Sequence, residues 1–223
     1  MYMIKYTDKI LIAFPEKIVV STASPAAEHL FKFRDEKDTK YLPEEQDKCF
    51  HHTTSQVLFM CSRSHRDIQT WVTFLTTRVK HPDDDDWGNS KRVLKYLKGT
   101  RHMKLNLTVE NVSLIRCWVD ASYNVYWGSI GHNGVMMALG KGSIISNSKK
   151  QKLNANSFNE AELVATHDQL LDIIHTLYFI KAQGYTIDKN IIYQDNQSSI
   201  RLEVNGRISS GKKTKHISSR FSS

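Results

Sequence analysis

The chain has 223 residues, of which 40% are hydrophobic, and this is enough for one large domain or two small ones. Its 31 basic and 23 acidic side chains give a net charge of +8, and its three isolated cysteines argue against a disulfide framework and a cysteine zinc site. No apolar run approaches the ~20 residues of a membrane span, and no targeting signal is visible, so we expect an intracellular protein without a membrane partner.

The first hundred residues have the periodicity of helices. Residues 3–14 place apolar side chains at helix-compatible spacing, and Pro15 ends that helix. Over residues 44–80 apolar side chains again recur at helical spacing, and a break near residues 63–65 predicts two helices. We therefore predict a mostly helical region over residues 1–100.

Four consecutive acids, Asp83–Asp86, precede a helix that we predict over residues 84–98 and that Gly99 ends. The apolar stripe of this helix consists of Trp87, Val93, Leu94 and Leu97. The four acids could bind a metal, but acidic residues at a helix N-terminus also interact favourably with the helix dipole. We favour the interpretation as a solvated helix cap.

Alternating hydrophobicity replaces the helical period after the first hundred residues. Residues 114–123 alternate and are rich in β-formers, which predicts a strand with Asp120 near its exit. Residues 131–139 and 143–148 predict two further strands, separated by glycine-containing turns. We predict an antiparallel meander of three strands within a second region that covers residues 101–223.

A long helix is predicted from Ser157 to about Gln183, where Gly184 ends it. Ser157 followed by Glu160 three residues later is the pattern of a capping box. One broad face of this helix should be buried. The side chains expected on that face are Leu163, Leu170, Leu171, Ile174, Leu177, Tyr178 and either Ile180 or Lys181.

Three carboxylates occupy similar positions in the second region. Asp120 ends a strand, Glu162 lies in the first turn of the long helix, and Asp195 follows a short strand over residues 191–194. A pocket of negative charge built from distant elements is unfavourable unless cations occupy it, and Mg²⁺ prefers carboxylate oxygens. Two Mg²⁺ ions over a scissile phosphate are the usual machinery of phosphodiester hydrolysis. We predict that the three carboxylates converge and bind metal.

Each of these acids also has a structural explanation. Glu162 could be an exposed helix carboxylate, and Asp195 could be the N-cap of a short helix over residues 196–204. Glu160 and Glu162 are separated by about 200° around the helix, so they cannot both face one site. We assign the capping role to Glu160 and the site role to Glu162.

Short motifs around these carboxylates resemble those of a known family. The segments Val119–Ser122, Ala161–Ala165 and Tyr193–Asn196 resemble the three core motifs of the ribonuclease H domain in copia-type retrotransposon polyproteins. The resemblance implies an α+β or α/β fold in which residues 101–223 form a mixed sheet with flanking helices and a truncated last helix. It also implies that the carboxylates bind Mg²⁺ or Mn²⁺.

The first region carries a second resemblance. Residues 65–68, and residues 91–100 after Trp87, resemble the segment that joins reverse transcriptase to ribonuclease H in the same polyproteins. Residues 1–100 would then be a thumb and connection region, and the chain would be part of a longer polyprotein. The polymerase signature Tyr-x-Asp-Asp does not occur in the sequence, so no polymerase activity is expected.

The C-terminal segment Lys212–Ile217 resembles the family's last motif, in which an Asp follows directly. Ser218 stands at that position in this chain. The resemblance implies a catalytic role for His216 and contacts to nucleic acid from a flexible basic segment. The lysines of this segment are Lys212, Lys213 and Lys215. A basic tail without a defined site is the alternative interpretation.

The resemblance leads to two functional hypotheses. The first is metal-dependent hydrolysis of RNA in RNA–DNA hybrids, slow or absent with Mg²⁺ because the neutral Ser218 hydroxyl is a poor ligand for a hard cation. The second is a non-catalytic relic that binds nucleic acid, favoured by the 15 basic and 9 acidic side chains of residues 101–223. Cleavage of a hybrid with Mg²⁺ or Mn²⁺ distinguishes the two hypotheses.

Overall fold

A computed structural model of the chain describes residues 3–28, 30–31, 39–126 and 128–205. The chain divides into two compact units, Met1–Asn106 and Leu107–Ser223. Within the described residues, the helices and strands of both units are α1 (Ile4–Ala13), α2 (Glu44–Arg63), a 3₁₀ turn (Arg66–Ile68), α3 (Gln69–Thr76), α4 (Asp84–Gly99), β1 (Leu114–Tyr126), β2 (Ile130–Ala138), β3 (Ser143–Asn154), α5 (Phe158–Ala182), β4 (Lys189–Tyr193) and α6 (Gln197–Asn205). None of the helices in the described part of the chain is both long and apolar enough to cross a membrane.

The first unit is a helical bundle, as the periodicity predicts. Helix α2 contacts α1, α3 and α4, and the predicted break near residues 63–65 separates α2 from α3. The apolar stripe that the sequence predicts on α4 is buried. The largest side chains in the core of this unit are Ile10, Phe50, Met60, Ile68, Trp71, Leu75, Leu94 and Leu97.

The acidic run before α4 forms a helix cap. Asp83 is the N-cap residue, and its carboxylate accepts a hydrogen bond from the Asp86 backbone N–H at 2.9 Å. The Asp86 carboxylate accepts in return from the Asp83 backbone N–H at 3.1 Å, which completes a capping box. The cap interpretation is confirmed, but these two acids are buried rather than solvated. Arg78 donates to both carboxylates at 3.1 Å and supplies the opposing charge.

The second unit contains a four-stranded mixed sheet with the strand order β3-β2-β1-β4. Strands β1, β2 and β3 form an antiparallel meander, as predicted, and β4 pairs with β1 in parallel. The predicted architecture of helices with a mixed sheet is confirmed. Helix α5 joins β3 to β4, because a parallel pairing requires a crossover connection.

One face of this sheet packs against α5. Side chains alternate along a strand with a period of two, so every second residue of β1 points toward the helix. Ile115, Cys117 and Val119 are buried in a cluster with Ala161 and Ala165 of α5. The even-numbered residues of β1, including Asp120, therefore project from the opposite face, which we call the open face.

The predicted buried face of α5 is largely wrong. Leu163 and Ile180 are buried and Leu177 is partly buried, as expected. Four other residues predicted to be buried have exposed fractions of 38% to 65%, and they are Leu170, Leu171, Ile174 and Tyr178. The helix carries apolar residues around most of its circumference, so periodicity alone cannot select the face. The small side chains of Ala161 and Ala165 lie against the sheet and determine the rotation of the helix.

The N-terminus of α5 differs slightly from a capping box. Ser157 caps the helix by accepting a hydrogen bond from the Glu160 backbone N–H at 3.2 Å. The Glu160 carboxylate accepts from the backbone N–H of Asn156 at 2.8 Å, one residue earlier than in a capping box. Glu160 is buried in this role, as the sequence analysis assigns it.

Candidate metal centre

The parallel pairing of β1 and β4 brings two of the predicted carboxylates to the same level of the sheet. Trp118 and Tyr193 are the last residues paired between these strands. Asp120 lies two residues after Trp118 in β1, and Asp195 lies two residues after Tyr193, the last residue of β4. Glu162, in the first turns of α5, lies near the same part of β1 and accepts a hydrogen bond from the backbone N–H of Ala121.

The structure brings Asp120, Glu162 and Asp195 together. One carboxylate oxygen of each residue lies within 4.8 Å of the corresponding oxygens of the other two. Divalent cations bind carboxylate oxygens at roughly 2.0–2.6 Å, so oxygens at these separations can share one ion. Asp120 and Asp195 are exposed, whereas Glu162 is 0% exposed, so a ligand would approach from the side of the two aspartates.

Glu162 is the most perturbed of the three acids. Burial raises the pKa of its carboxyl group to about 7, against the effect of a hydrogen bond donated by the Gln194 side chain at 3.0 Å. The negative charges of Asp120 and Asp195 raise this pKa further. The second oxygen, Oε1, is buried and has no hydrogen-bond donor among the residues that the structure describes. A buried oxygen without a donor, beside two further carboxylates, fits a divalent cation, which supplies the missing positive charge.

Asp195 is not the N-cap of α6. The side chain of Asn196 accepts a hydrogen bond from the Ser199 backbone N–H at 3.0 Å and therefore caps this helix. Asn196 also donates to the Asn159 side chain of α5 at 2.9 Å. The N-cap alternative for Asp195 is therefore wrong, and its carboxylate remains available to the cluster.

Sequence reasoning missed the amide side chains that bind Glu162 or join the sheet to the first turn of α5. Gln194 donates to Glu162, and Gln151 of β3 donates to the Asn133 side chain and, at 2.8 Å, to the Ala161 carbonyl. Gln151 and Asn133 are almost fully buried, and together they tie β2 and β3 to the first turn of α5. The sequence signals were Gln194, directly before Asp195, and Gln151, in the lysine-rich segment of β3. Glutamines at such positions are too common to indicate a site.

The other predicted site residues cannot be placed. His216, the basic residues Lys212, Lys213 and Lys215, and Ser218 lie outside the described residues. Their contributions therefore stay predictions.

Comparisons with known proteins relate the chain to transposon polyproteins. No family model and no solved structure matches the chain. The chain is 25% identical, over 97% of its length, to a retrovirus-related Pol polyprotein from transposon TNT 1-94 of Nicotiana tabacum. It is 29% identical, over 68% of its length, to a retrovirus-related Pol polyprotein from transposon RE2 of Arabidopsis thaliana. The chain spans 16% and 10% of these relatives, so it is similar to one segment of retrotransposon Pol polyproteins.

Proposed function

We propose that the second unit is a ribonuclease-H-like nuclease that uses divalent metal to cut the RNA strand of RNA–DNA hybrids. The observation that carries this proposal is the convergence of Asp120, Glu162 and Asp195, with one buried Glu162 oxygen that receives no hydrogen bond from the described part of the chain. The sequence motifs around these acids resemble ribonuclease H motifs, and the similarity to Pol polyproteins of transposons fits that origin.

Each acid has a distinct part in the proposed reaction. The three acids would hold Mg²⁺, which would supply Lewis-acid polarisation of the phosphodiester and of a water molecule, so that the water oxygen bonds to phosphorus as one ester oxygen leaves. Glu162, fixed by Gln194 and by the Ala121 backbone, forms the buried side of the metal site. Asp120 and Asp195 are exposed and would hold the metal where the phosphate group of the substrate can reach it.

The choice of a hybrid substrate rests on the resemblance and on charge. Residues 101–223 carry 15 basic and 9 acidic side chains, and a basic surround favours a polyanion. A nuclease that selects RNA within a hybrid would recognise 2′-hydroxyl groups across the minor groove. We expect duplex DNA to be a poor substrate for this reason.

The proposed activity is weak. Ser218 replaces the Asp of the family's last motif, and a hydroxyl is a poorer ligand than a carboxylate for a hard cation. We expect slow hydrolysis with Mg²⁺ and faster hydrolysis with Mn²⁺, which accepts nitrogen ligands such as His216 more readily. A protein that binds hybrids without cutting them is the second candidate, and the Ser218 replacement is the observation that favours it.

The decisive experiment compares metal-dependent cleavage of an RNA–DNA hybrid, duplex RNA and duplex DNA by the purified chain. Asp120→Asn, Glu162→Gln and Asp195→Asn should each lower hybrid cleavage by about 100-fold or more, because each removes a metal ligand. Asp188→Asn is the matched control, since Asp188 is an exposed acid at the other end of β4. Hybrid cleavage that persists equally in all four variants would contradict the proposal, and binding without cleavage would select the second candidate.

A further inference from the structure

A buried polar network lies on the open face of the sheet, beside the metal centre. The Tyr126 hydroxyl is hydrogen-bonded to Nδ1 of His132 at 2.9 Å, and Nε2 of His132 to the Ser148 hydroxyl at 2.6 Å. All three residues are at most 8% exposed. The pairing of β1 with β2 is irregular after Ser122, where Asn124 has a φ of 56°, and this bulge precedes the position of the Tyr126 ring.

Lys150 extends over this network. Its ammonium group lies 4.8 Å from the centroid of the Tyr126 ring, within the range of a cation–π interaction. Lys150 is exposed, and no ion pair joins it to a carboxylate among the described residues. The hydrogen bond between Tyr126 and His132 fixes the orientation of the Tyr126 ring. The ring therefore limits the positions that the Lys150 ammonium group can take over it.

The register places Lys150 close to the carboxylates. Asp120, Gly134 and Ser148 form one row across β1, β2 and β3. Lys150 belongs to the next row on the same face, opposite His132. Two strand spacings across the sheet and two residues along a strand separate its Cα atom from that of Asp120 by roughly 12 Å.

One position on the sheet between Asp120 and Lys150 has no side chain. Gly134 lies directly between Asp120 and Ser148, and a Cβ atom added to it would meet nothing nearer than the Asp120 carbonyl oxygen at 3.9 Å. An extended polyanion can therefore cross the sheet from the carboxylates toward Lys150 without meeting a side chain at position 134.

We propose that Lys150 binds a backbone phosphate of the nucleic acid strand whose scissile bond lies at Asp120. The contacted phosphate lies within a few nucleotides of that bond, because neighbouring phosphates of one strand are farther apart than the axial rise of about 3.4 Å per nucleotide. This inference rests on the proposed function and adds a positioning residue that holds the strand in register. Lys150 acts by charge and does not touch the reacting atoms.

The test measures equilibrium binding of an RNA–DNA hybrid as a function of salt, in Ca²⁺, with the integrity of the hybrid checked on gels. Lys150→Ala should raise Kd about 3- to 10-fold and reduce the salt slope by about 0.9, the value for one phosphate contact. Lys150→Arg keeps the charge and should retain the slope. Lys141→Ala is the matched control, because Lys141 is exposed at the opposite end of the β2–β3 hairpin.

A second measurement locates the contact. A series of hybrids carries one neutral methylphosphonate each, at successive positions. The unmodified protein should lose affinity for the hybrid in which the contacted phosphate, a few nucleotides from the cleavage site, is neutral. The cleavage site is mapped with Mn²⁺ or, without cleavage, from the strongest methylphosphonate effect. Lys150→Ala should be insensitive to that one substitution. Equal salt slopes for Lys150→Ala and Lys141→Ala, or no hybrid binding by the unmodified protein, would overturn the inference. Binding that depends on Lys150 without any cleavage would support it while contradicting the nuclease proposal.

Discussion

The two units contain two groups of acids, and the groups differ in whether a cationic side chain lies among them. In the first unit, Asp83 and Asp86 are buried, and both carboxylates accept hydrogen bonds from Arg78 and from backbone amides. In the second unit, Glu162 is equally buried, but within the described part of the chain no cationic side chain pairs with it, and two more carboxylates lie beside it. We call the first group complete, because its opposing charge lies within the protein, and the second incomplete, because it would gain an opposing charge only from a bound cation.

The comparison shows that proximity in sequence is a poor guide to which acids form a cluster that could bind a cation. Four adjacent acids serve a local purpose, because the N-terminus of a helix offers free N–H groups and a favourable dipole. Three acids from β1, α5 and the turn after β4 meet only because the fold brings them together against their mutual repulsion. Such an arrangement costs free energy in the absence of a ligand, and this cost is the physical signature of a binding site.

The largest effect is expected from breaking the complete group. Arg78→Ala should lower the free energy of unfolding by about 4 kcal/mol, because it removes the guanidinium group that donates hydrogen bonds to both buried carboxylates. Urea denaturation of the purified protein measures this change. Lys80→Ala, an exposed lysine two residues away, is the control and should have an effect within about 0.5 kcal/mol. A loss below about 1 kcal/mol for Arg78→Ala would mean that the cap does not depend on this arginine.

The second prediction concerns the buried imidazole of His132 in the second unit, which is hydrogen-bonded through both ring nitrogens. Burial lowers the pKa of His132 to about 4, below its usual value near 6.5. The unfolded chain therefore binds more protons than the folded chain between pH 4 and 6.5, and stability is lost as the pH falls through this window. The full loss amounts to about 3 kcal/mol.

The matched test of this pH dependence is His132→Gln against His175→Gln, since His175 is exposed on α5. The first variant should flatten the acid limb of the stability curve between pH 4 and 6.5, and the second should leave it unchanged. Parallel curves for both variants would show that His132 does not titrate as its burial requires.

The third prediction separates the two acid groups by the sign of a mutation. Glu162→Gln should raise the stability of the metal-free protein at pH 8 by about 2 kcal/mol, because it removes a buried charge that lies beside two like charges. The same variant should abolish the rise in Tm that Mg²⁺ or Mn²⁺ gives the unmodified protein. Arg78→Ala should retain the metal-induced rise. If Glu162→Gln instead destabilised the metal-free protein, the Glu162 carboxylate would stabilise the fold, as Asp83 and Asp86 do.

The sequence predicts much of this arrangement. The predicted helices agree with the structure because helix-ending signals are visible in the sequence, namely Pro15, the break near residues 63–65 and Gly184. The three acids are recognisable because Asp195 follows a strand, Glu162 opens a helix and Asp120 belongs to a strand, although β1 continues to Tyr126 rather than ending near Asp120 as predicted. Their spatial order follows from strand pairing, which sequence patterns indicate only in part.

Other features depend on tertiary contacts that no local pattern encodes. The assignment of the α6 cap to Asn196 rather than Asp195 depends on where the Asn159 side chain lies. The amide links through Gln151 join residues of β2, β3 and α5 that are distant in sequence. The buried face of α5 could not be selected because the helix is apolar on several sides.

The smallest effect tests the rotation of α5, on which the whole site depends. Leu171 lies nine residues after Glu162, about 180° around the helix, whereas Ile173 lies only about 20° from it. Since Glu162 faces Asp120 and Asp195, Leu171 must point away, and it is 65% exposed while Ile173 is 2% exposed. Leu171→Ala should therefore change the free energy of unfolding by about 0.5 kcal/mol or less, against about 3 kcal/mol for Ile173→Ala. A cost above about 2 kcal/mol for Leu171→Ala would mean that α5 is rotated toward the face that its leucines predict. Glu162 would then be turned away from Asp120, and the incomplete acid group would not exist.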